Sequence, residues 1–271
     1  MRCRRAAPVA ALALLASLAA TPAPAQTSIE ASPLRVEIQT EPGGTHTQAV
    51  TLRNPGTQMV RVRTTLADWH LTKDGAPEFE IPEAGRPFAA STWTRFAPPE
   101  FTLEPGKEGT VRFTLNVPPD AEPGGYRTGL LFEFLPETPE APGAGRQVIL
   151  RSRIATLIYM NVGQPASAVQ MTNLQVRGAA EQTQIVAALK NSSRRTVRTR
   201  GTLMLYDKTG VSVAEILVPD VPVLPESERE LTIRATEAMK PLLAGDYKVE
   251  LKLDLGMPAL VVGETTLRVA R

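Results

Sequence analysis

Residues 147–162 read QVILRSRIATLIYMNV, the longest unbroken run of β-branched and apolar residues downstream of the first 25 positions, with no proline or glycine inside it. It alternates at first, with Val148 and Leu150 interleaved among Gln147, Ile149, Arg151 and Arg153; from Ile154 onward both faces are largely apolar. Such a strand is either a core element covered on both faces or a sheet edge. At an edge, its early half offers unpaired N–H and C=O groups flanked by apolar side chains, a template for adding a strand from another polypeptide. Covered by a neighbouring strand or loop, it is ordinary core. The residues alone leave both readings open. The stretch before it, PETPEAPGAGRQ (136–147), carries three prolines and two glycines and predicts a mobile loop. Gly163-Gln164-Pro165, just after it, predicts a domain junction.

Working outward, the chain reads as strands almost throughout. Proline is high at 24 residues and aromatics low at 5%, a composition that suits short strands punctuated by turns. Residues 34–38 (LRVEI) alternate apolar with polar, the period of a half-buried strand. Further strands are expected at 48–52, 59–67, 91–96, 101–103, 110–117 and 126–135. Turns are signalled by Glu41-Pro42-Gly43-Gly44, Asn54-Pro55-Gly56, Lys73-Asp74-Gly75 and Glu104-Pro105-Gly106. With 147–162 added, the count and spacing predict an immunoglobulin-like sandwich.

The second half repeats the first. Leu189-Lys190-Asn191-Ser192 parallels Leu52-Arg53-Asn54-Pro55, Asp207-Lys208-Thr209-Gly210 parallels Lys73-Asp74-Gly75, and Gly245-Asp246-Tyr247 parallels Gly124-Gly125-Tyr126. Two tandem immunoglobulin-like β-sandwich domains are therefore expected, over 27–163 and 165–271, making the chain all-β. Ahead of them, basic Arg2, Arg4 and Arg5, an apolar stretch over 9–20 and the small residues Ala23-Pro24-Ala25 form the pattern of a secretory signal peptide over 1–25. The expected product is exported to the periplasm and soluble, without membrane insertion. The single cysteine, Cys3, would leave with the leader.

Chemistry-bearing clusters are sparse. The chain has 30 Lys+Arg against 28 Asp+Glu, and loss of the leader's three arginines leaves 27 against 28, so nucleic-acid binding is not expected. A metal site wants three or four ligands, whereas the only histidines are His46 and His70 and no cysteine follows the leader. No nucleophile elbow, phosphate loop or zinc-helix motif is present. Glu78, Glu80 and Glu83 suit a solvated loop face. Neither an enzyme nor a cofactor is expected. Trp69, Trp93, Tyr126 and Tyr247 suit a carbohydrate platform or, more in keeping with sandwich domains, ordinary packing.

Several motifs in order resemble one family. Ser-Pro-Leu-Arg-Val (32–36), Leu-Arg-Asn (52–54), Ala-Ser-Thr-Trp (90–93), Ala-Pro-Pro-Glu-Phe-Thr-Leu-Glu-Pro-Gly (97–106), Val111-Arg112-Phe113, Tyr126-Arg127 and Leu157-Ile158-Tyr159 are similar to the periplasmic pilus-assembly chaperones, the PapD-like family. The resemblance covers the first domain. It implies a boomerang of two sandwiches holding pilin-like or other strand-deficient secreted subunits, in company with an outer-membrane usher. It implies a donor edge strand, here Val148, Ile149, Leu150, Ser152 and Ile154. It implies two cleft cations that hold the subunit's terminal carboxylate, the first falling on Arg35. By the same analogy the Pro98 bond is cis. The second cation, a lysine in the family, falls on Ala155 or Thr156, and the nearest substitutes are Arg151 and Arg153; Met160 stands where a basic residue follows the tyrosine. The reading is a non-enzymatic chaperone or assembly factor acting by strand donation. Its rivals are a structural or adhesive tandem module of the cell envelope and, more remotely, a surface enzyme or sugar binder.

Overall fold

The computed structural model describes residues 29–136, 152–178, 182–240 and 242–269. The signal-peptide reading with Cys3, the loop reading for residues 137–147, and the candidates Val148, Ile149, Leu150 and Arg151 lie outside the described residues.

The first half forms β1 (Glu30–Ser32), β2 (Arg35–Thr40), β3 (Thr45–Arg53), β4 (Val60–Leu71), β5 (Pro77–Glu80), β6 (Thr94–Ala97), β7 (Glu100–Leu103), β8 (Glu108–Asn116), β9 (Gly124–Pro136) and β10 (Ser152–Val162). One sheet runs β1-β3-β8-β6; the other runs β2-β10-β9-β4-β5, with β7 also on β4. Between the sheets lie Val36, Val50, Leu52, Val62, Val111, Phe113, Leu115, Leu130, Phe132, Ile158, Met160 and Val162, all buried in one cluster. The period-2 pattern supplies this core, each inward side chain being worth roughly 1.5–3 kcal/mol of burial.

The expected strand over 91–96 needs correction. Residues Ser91–Trp93 form a single 3-10 turn, closed by Trp93 N–H to Ala90 O at 3.1 Å, and pairing begins only at Thr94. The buried Thr94 hydroxyl donates to Ala90 O at 2.7 Å, so its side chain competes with extended geometry just upstream. The short strands β1 and β5 carry too little pattern to be read in advance. The Ala97–Pro98 bond is cis, as is Ser32–Pro33.

The second half forms β11 (Val169–Arg177), β12 (Gln184–Asn191), β13 (Val197–Arg198), β14 (Arg200–Tyr206), β15 (Ser212–Leu217), β16 (Pro222–Val223), β17 (Ser227–Arg234), a four-residue helix α1 (Thr236–Met239), β18 (Gly245–Asp254) and β19 (Val261–Val269). Its sheets run β11-β12-β17 and β15-β14-β18-β19, with a small β13-β16 pair. A separate buried cluster includes Ile185, Leu189, Leu203, Leu205, Leu231, Ile233, Val249, Leu251 and Leu253. The fold is all-β, two immunoglobulin-like sandwiches in tandem.

The internal repeat is visible atom by atom. Asn54 is 1% exposed; its amide donates to Gln58 O and Leu103 O, and its Oδ1 accepts from Gly56 N–H. Asn191, also 1% exposed, donates to Arg195 O, Val223 O and Leu224 O and accepts from Ser193 N–H. Tyr126 donates to Glu122 O and Tyr247 to Leu243 O, each four residues back at 2.9 Å, the tyrosine corner of such sandwiches.

The two buried clusters break between Val162 and Val169. Gly163 turns the chain there at φ +64, with its N–H on Thr40 O, a conformation that favours glycine. The domains also touch directly at Gly125, whose N–H donates to Arg194 O at 2.6 Å; a Cβ at Gly125 would lie 2.5 Å from Thr196 N.

Candidate strand-pairing edge and interdomain cleft

β10 covers residues 152–162 of the opening stretch, and its two ends are paired differently. It pairs antiparallel with β9 along its whole length, Ser152 opposite Phe134 through Val162 opposite Gly124, with no register shift. On its other side, β2 joins in parallel only from Leu157, opposite Arg35, to Val162, opposite Thr40. Leu157 N–H donates to Leu34 O at 2.9 Å, and the Thr156 hydroxyl donates to Pro33 O at 2.8 Å. Residues 152–155 therefore have a strand partner on one side only among the described residues.

Backbone geometry says which groups face the open side. Successive N–H groups of a strand alternate sides. Leu157 N–H points to Leu34, on the side away from β9, so the N–H groups of Arg153 and Ala155 point the same way. Ile154 is half-buried against the first core, while Ser152 and Arg153 are exposed. Leu34, 56% exposed, stands where the open edge ends.

The odd-numbered face of β10 looks toward the second domain. Tyr159 stacks edge-on against Trp69, centroids 5.0 Å apart, and both pack with Leu224 of the second sandwich, Leu71 and Leu157. Trp69 is 2% exposed and its indole N–H donates to Thr128 O at 2.9 Å. Trp93 packs on Tyr126 at 4.5 Å. Trp69, Tyr126 and Tyr247 are buried, which sets the packing reading above a carbohydrate platform. Burial raises the Tyr159 phenol pKa, opposed by nearby Arg198 and Arg35. Arg127 is pushed down to about 10 by burial, with Asp68 and Tyr159 pulling the other way.

Arg35 lies at the start of β2 on this face. Its Nε is 3.4 Å from Glu37 and its Nη1 3.6 Å from Asp220. Another guanidinium at the junction, that of Arg198, comes from the other domain. Arg198 lies 3.0 Å from Glu37, donates from Nε to Asp220 Oδ1 at 2.6 Å and from Nη2 to Asp220 O at 2.9 Å. Its side chain is only 14% exposed, against 50% for Arg35. Two guanidiniums and two carboxylates thus form a ring across the junction. Arg153 shares Arg35's sheet face but sits four residues from Leu157, about 13 Å along the strand, and reaches Glu133 at 3.9 Å. Thr156 is fully buried and Ala155 half-buried. The stretch RRTVRTR (194–200) carried the signal for Arg198, four arginines in seven residues, but the overall charge balance masked it.

A latch closes the far side of the elbow. Lys73 Nζ meets Glu228 Oε2 at 2.6 Å, Glu230 N–H donates to Lys73 O at 2.7 Å, and the Arg229 guanidinium lies over Gly75. The histidines stay apart: His46 bonds the Thr40 hydroxyl at 2.7 Å, and His70 lies 2.8 Å from Glu78 and 3.5 Å from Glu80. Among the described residues no group of three or more His, Cys, Asp or Glu side chains is arranged to hold a metal, and no helix is long and apolar enough to cross a membrane.

Fold and site together define a tandem immunoglobulin-like protein whose β10, among the described residues, is paired on one side only over 152–155, beside an arginine-lined elbow. No family model and no curated protein matches the sequence. Among solved structures the chain is similar to a chain of the chaperone–tip adhesin complex of CFA/I fimbriae biogenesis, with 10% identity over 90% of this chain and 100% of that one, and a TM-score of 0.46. It is similar to a chain of the CsuC–CsuE chaperone–tip adhesion subunit pre-assembly complex of Csu pili from Acinetobacter baumannii, with 16% identity over 88% and 98% and a TM-score of 0.44. It is also similar to the CupB2 chaperone of Pseudomonas aeruginosa, with 12% identity over 89% and 100% and a TM-score of 0.41. The first two of these structures are complexes of a chaperone with a tip subunit and the third is a chaperone.

Proposed function

We propose that this chain is a non-enzymatic periplasmic chaperone or assembly factor that binds a pilin-like or other strand-deficient secreted subunit through the open half of β10. The observation that carries the proposal is the one-sided pairing of residues 152–155, with the Arg153 and Ala155 N–H groups turned to the open side. A partner strand laid there meets backbone groups that are unpaired among the described residues, the half-buried Ile154 and the exposed Leu34, the combination that strand addition uses for affinity and register. The proposal extends the edge upstream through Val148, Ile149 and Leu150 and sets Arg35 near the subunit's terminal carboxylate, where a guanidinium makes charge-assisted hydrogen bonds. Delivery to an outer-membrane usher belongs to the same reading, as does export by the leader over 1–25.

The test is co-expression with a pilin-type subunit that lacks its final strand. The subunit persists and co-purifies with the wild-type chain and is lost with Val148→Asp/Leu150→Asp. Equal subunit survival without the chain, or with that variant, ends the reading. Arg35→Ala tests the anchor separately, since unchanged capture removes it from the mechanism.

A further inference from the structure

Beside Glu37, two adjoining cavities of about 210 and 180 Å³ share Glu37, Asn161, Thr196 and Arg198 as walls. The larger is also lined by Ser167, Arg195, Arg200 and Asp254. Both domains and the segment joining them contribute to it.

Two features of this cavity are unusual. Asn161 Oδ1, Ser167 Oγ and Thr196 Oγ1 are buried without a hydrogen-bond partner among the described residues, while Arg198 Nη1 lies 3.0 Å from Glu37. Buried polar atoms are normally satisfied, so three around one cavity point to a polar guest. The second feature is charge. Three guanidiniums face two carboxylates. Glu37 is already matched by Arg35 and Arg198, and Asp254 Oδ1 accepts from Gly256 N–H. Arg195 and Arg200 have no ion pair among the described residues.

We propose that this cavity binds a small tetrahedral oxyanion of the phosphate class, held by Arg195, Arg198 and Arg200 with the Ser167 and Thr196 hydroxyls. The donors outnumber what a planar carboxylate accepts, and guanidinium pairs with phosphate oxygens in charge-assisted geometry. A protonated phosphate oxygen also offers the donor that Asn161 Oδ1 lacks. At about 30 Å³ per water the cavity holds roughly seven water volumes, room for a five-heavy-atom ion. Because its walls come from both sandwiches, the bound ion ties them together and stiffens the elbow. The site is independent of any client subunit.

The experiment is thermal unfolding of the leaderless chain in sodium phosphate against chloride of equal ionic strength, with phosphorus NMR line-broadening as a direct binding readout. Inorganic phosphate gives a saturable rise in Tm of about 3–6 °C at roughly ten times Kd, and Arg195→Ala and Arg200→Ala abolish both the rise and the broadening. A control at a remote arginine, Arg53→Ala, keeps both. A glycerol phosphate arm separates free ion from ester: binding of both places the ester oxygen outside the cavity, and binding of phosphate alone encloses the ion. No saturable shift over chloride, or the same shift in Arg195→Ala and Arg200→Ala, overturns the proposal.

Discussion

Arg198 of the second sandwich stands 3.0 Å from Glu37 of the first, closing a ring that also contains Arg35 and Asp220. The two arginines differ in burial, and burial decides which of them holds the elbow. Exposed ion pairs are worth little because water and salt screen them. Arg198→Ala, at a side chain only 14% exposed, is expected to cost about 1.5–3 kcal/mol through its lost charge-assisted hydrogen bonds. Arg35→Ala, half exposed, is expected to stay within about 1 kcal/mol. Urea unfolding midpoints at unchanged slope give the comparison.

Leu224 is the side chain by which the second domain enters the Trp69–Tyr159 cluster. It is 3% exposed, so Leu224→Ala leaves a cavity and should cost about 2–5 kcal/mol. Trp69 fluorescence should shift, because its surroundings gain water. Small-angle scattering should show a broader distribution of domain angles than in the wild type.

Much of this was legible in the sequence, and the failures have physical causes. Alternation in LRVEI and in the strands after it exposed the inward faces, since a one-residue slip would turn every apolar side chain outward. The repeated Asn in Leu52-Arg53-Asn54 and Leu189-Lys190-Asn191 marked two equivalent buried amides, because that residue caps the same turn in each copy. Ser91-Thr92-Trp93 read as strand by propensity, yet a local hydrogen bond from Thr94 to Ala90 won. Arg198 could not be assigned to the cleft from its own segment. Its partners Glu37 and Asp220 lie far from it in sequence, and only the folded elbow brings them together.

The paired asparagines make a sharper stability prediction. Asn191→Ala removes the donor to three carbonyls, at Arg195, Val223 and Leu224. Carbonyls left buried and unpaired should make the loss roughly 2–4 kcal/mol. Asn54→Ala, with two carbonyl partners, should cost somewhat less. Equal and negligible effects at both positions, measured by chemical denaturation, would refute the assigned role.

The Lys73–Glu228 latch should respond to acid. The hydrogen bond from Lys73 holds the Glu228 carboxyl below its ordinary 4.5, and the same contact raises Lys73 above 10.5. A depressed carboxylate contributes stability above its unfolded value and loses it as pH falls through its folded value. The raised lysine contributes below 10.5 and loses it only at higher pH. The latch is therefore complete at neutral pH, begins to weaken below about 4.5 and is lost as pH falls through the lower folded value. The stability difference between wild type and Glu228→Gln should be level near neutrality and shrink on acidification, as read from unfolding curves across that range.

The central claim is that residues 152–155 form the open edge at which a partner strand docks. Amide hydrogen exchange tests it most directly, in the leaderless chain alone and in complex with a strand-deficient pilin-type subunit. The N–H groups of Arg153 and Ala155 face the open side, whereas those of Ser152 and Ile154 face β9. On complex formation, exchange at Arg153 and Ala155 should slow strongly while Ser152 and Ile154 change little. Unaltered exchange at Arg153 and Ala155 in a complex that demonstrably forms would contradict the account.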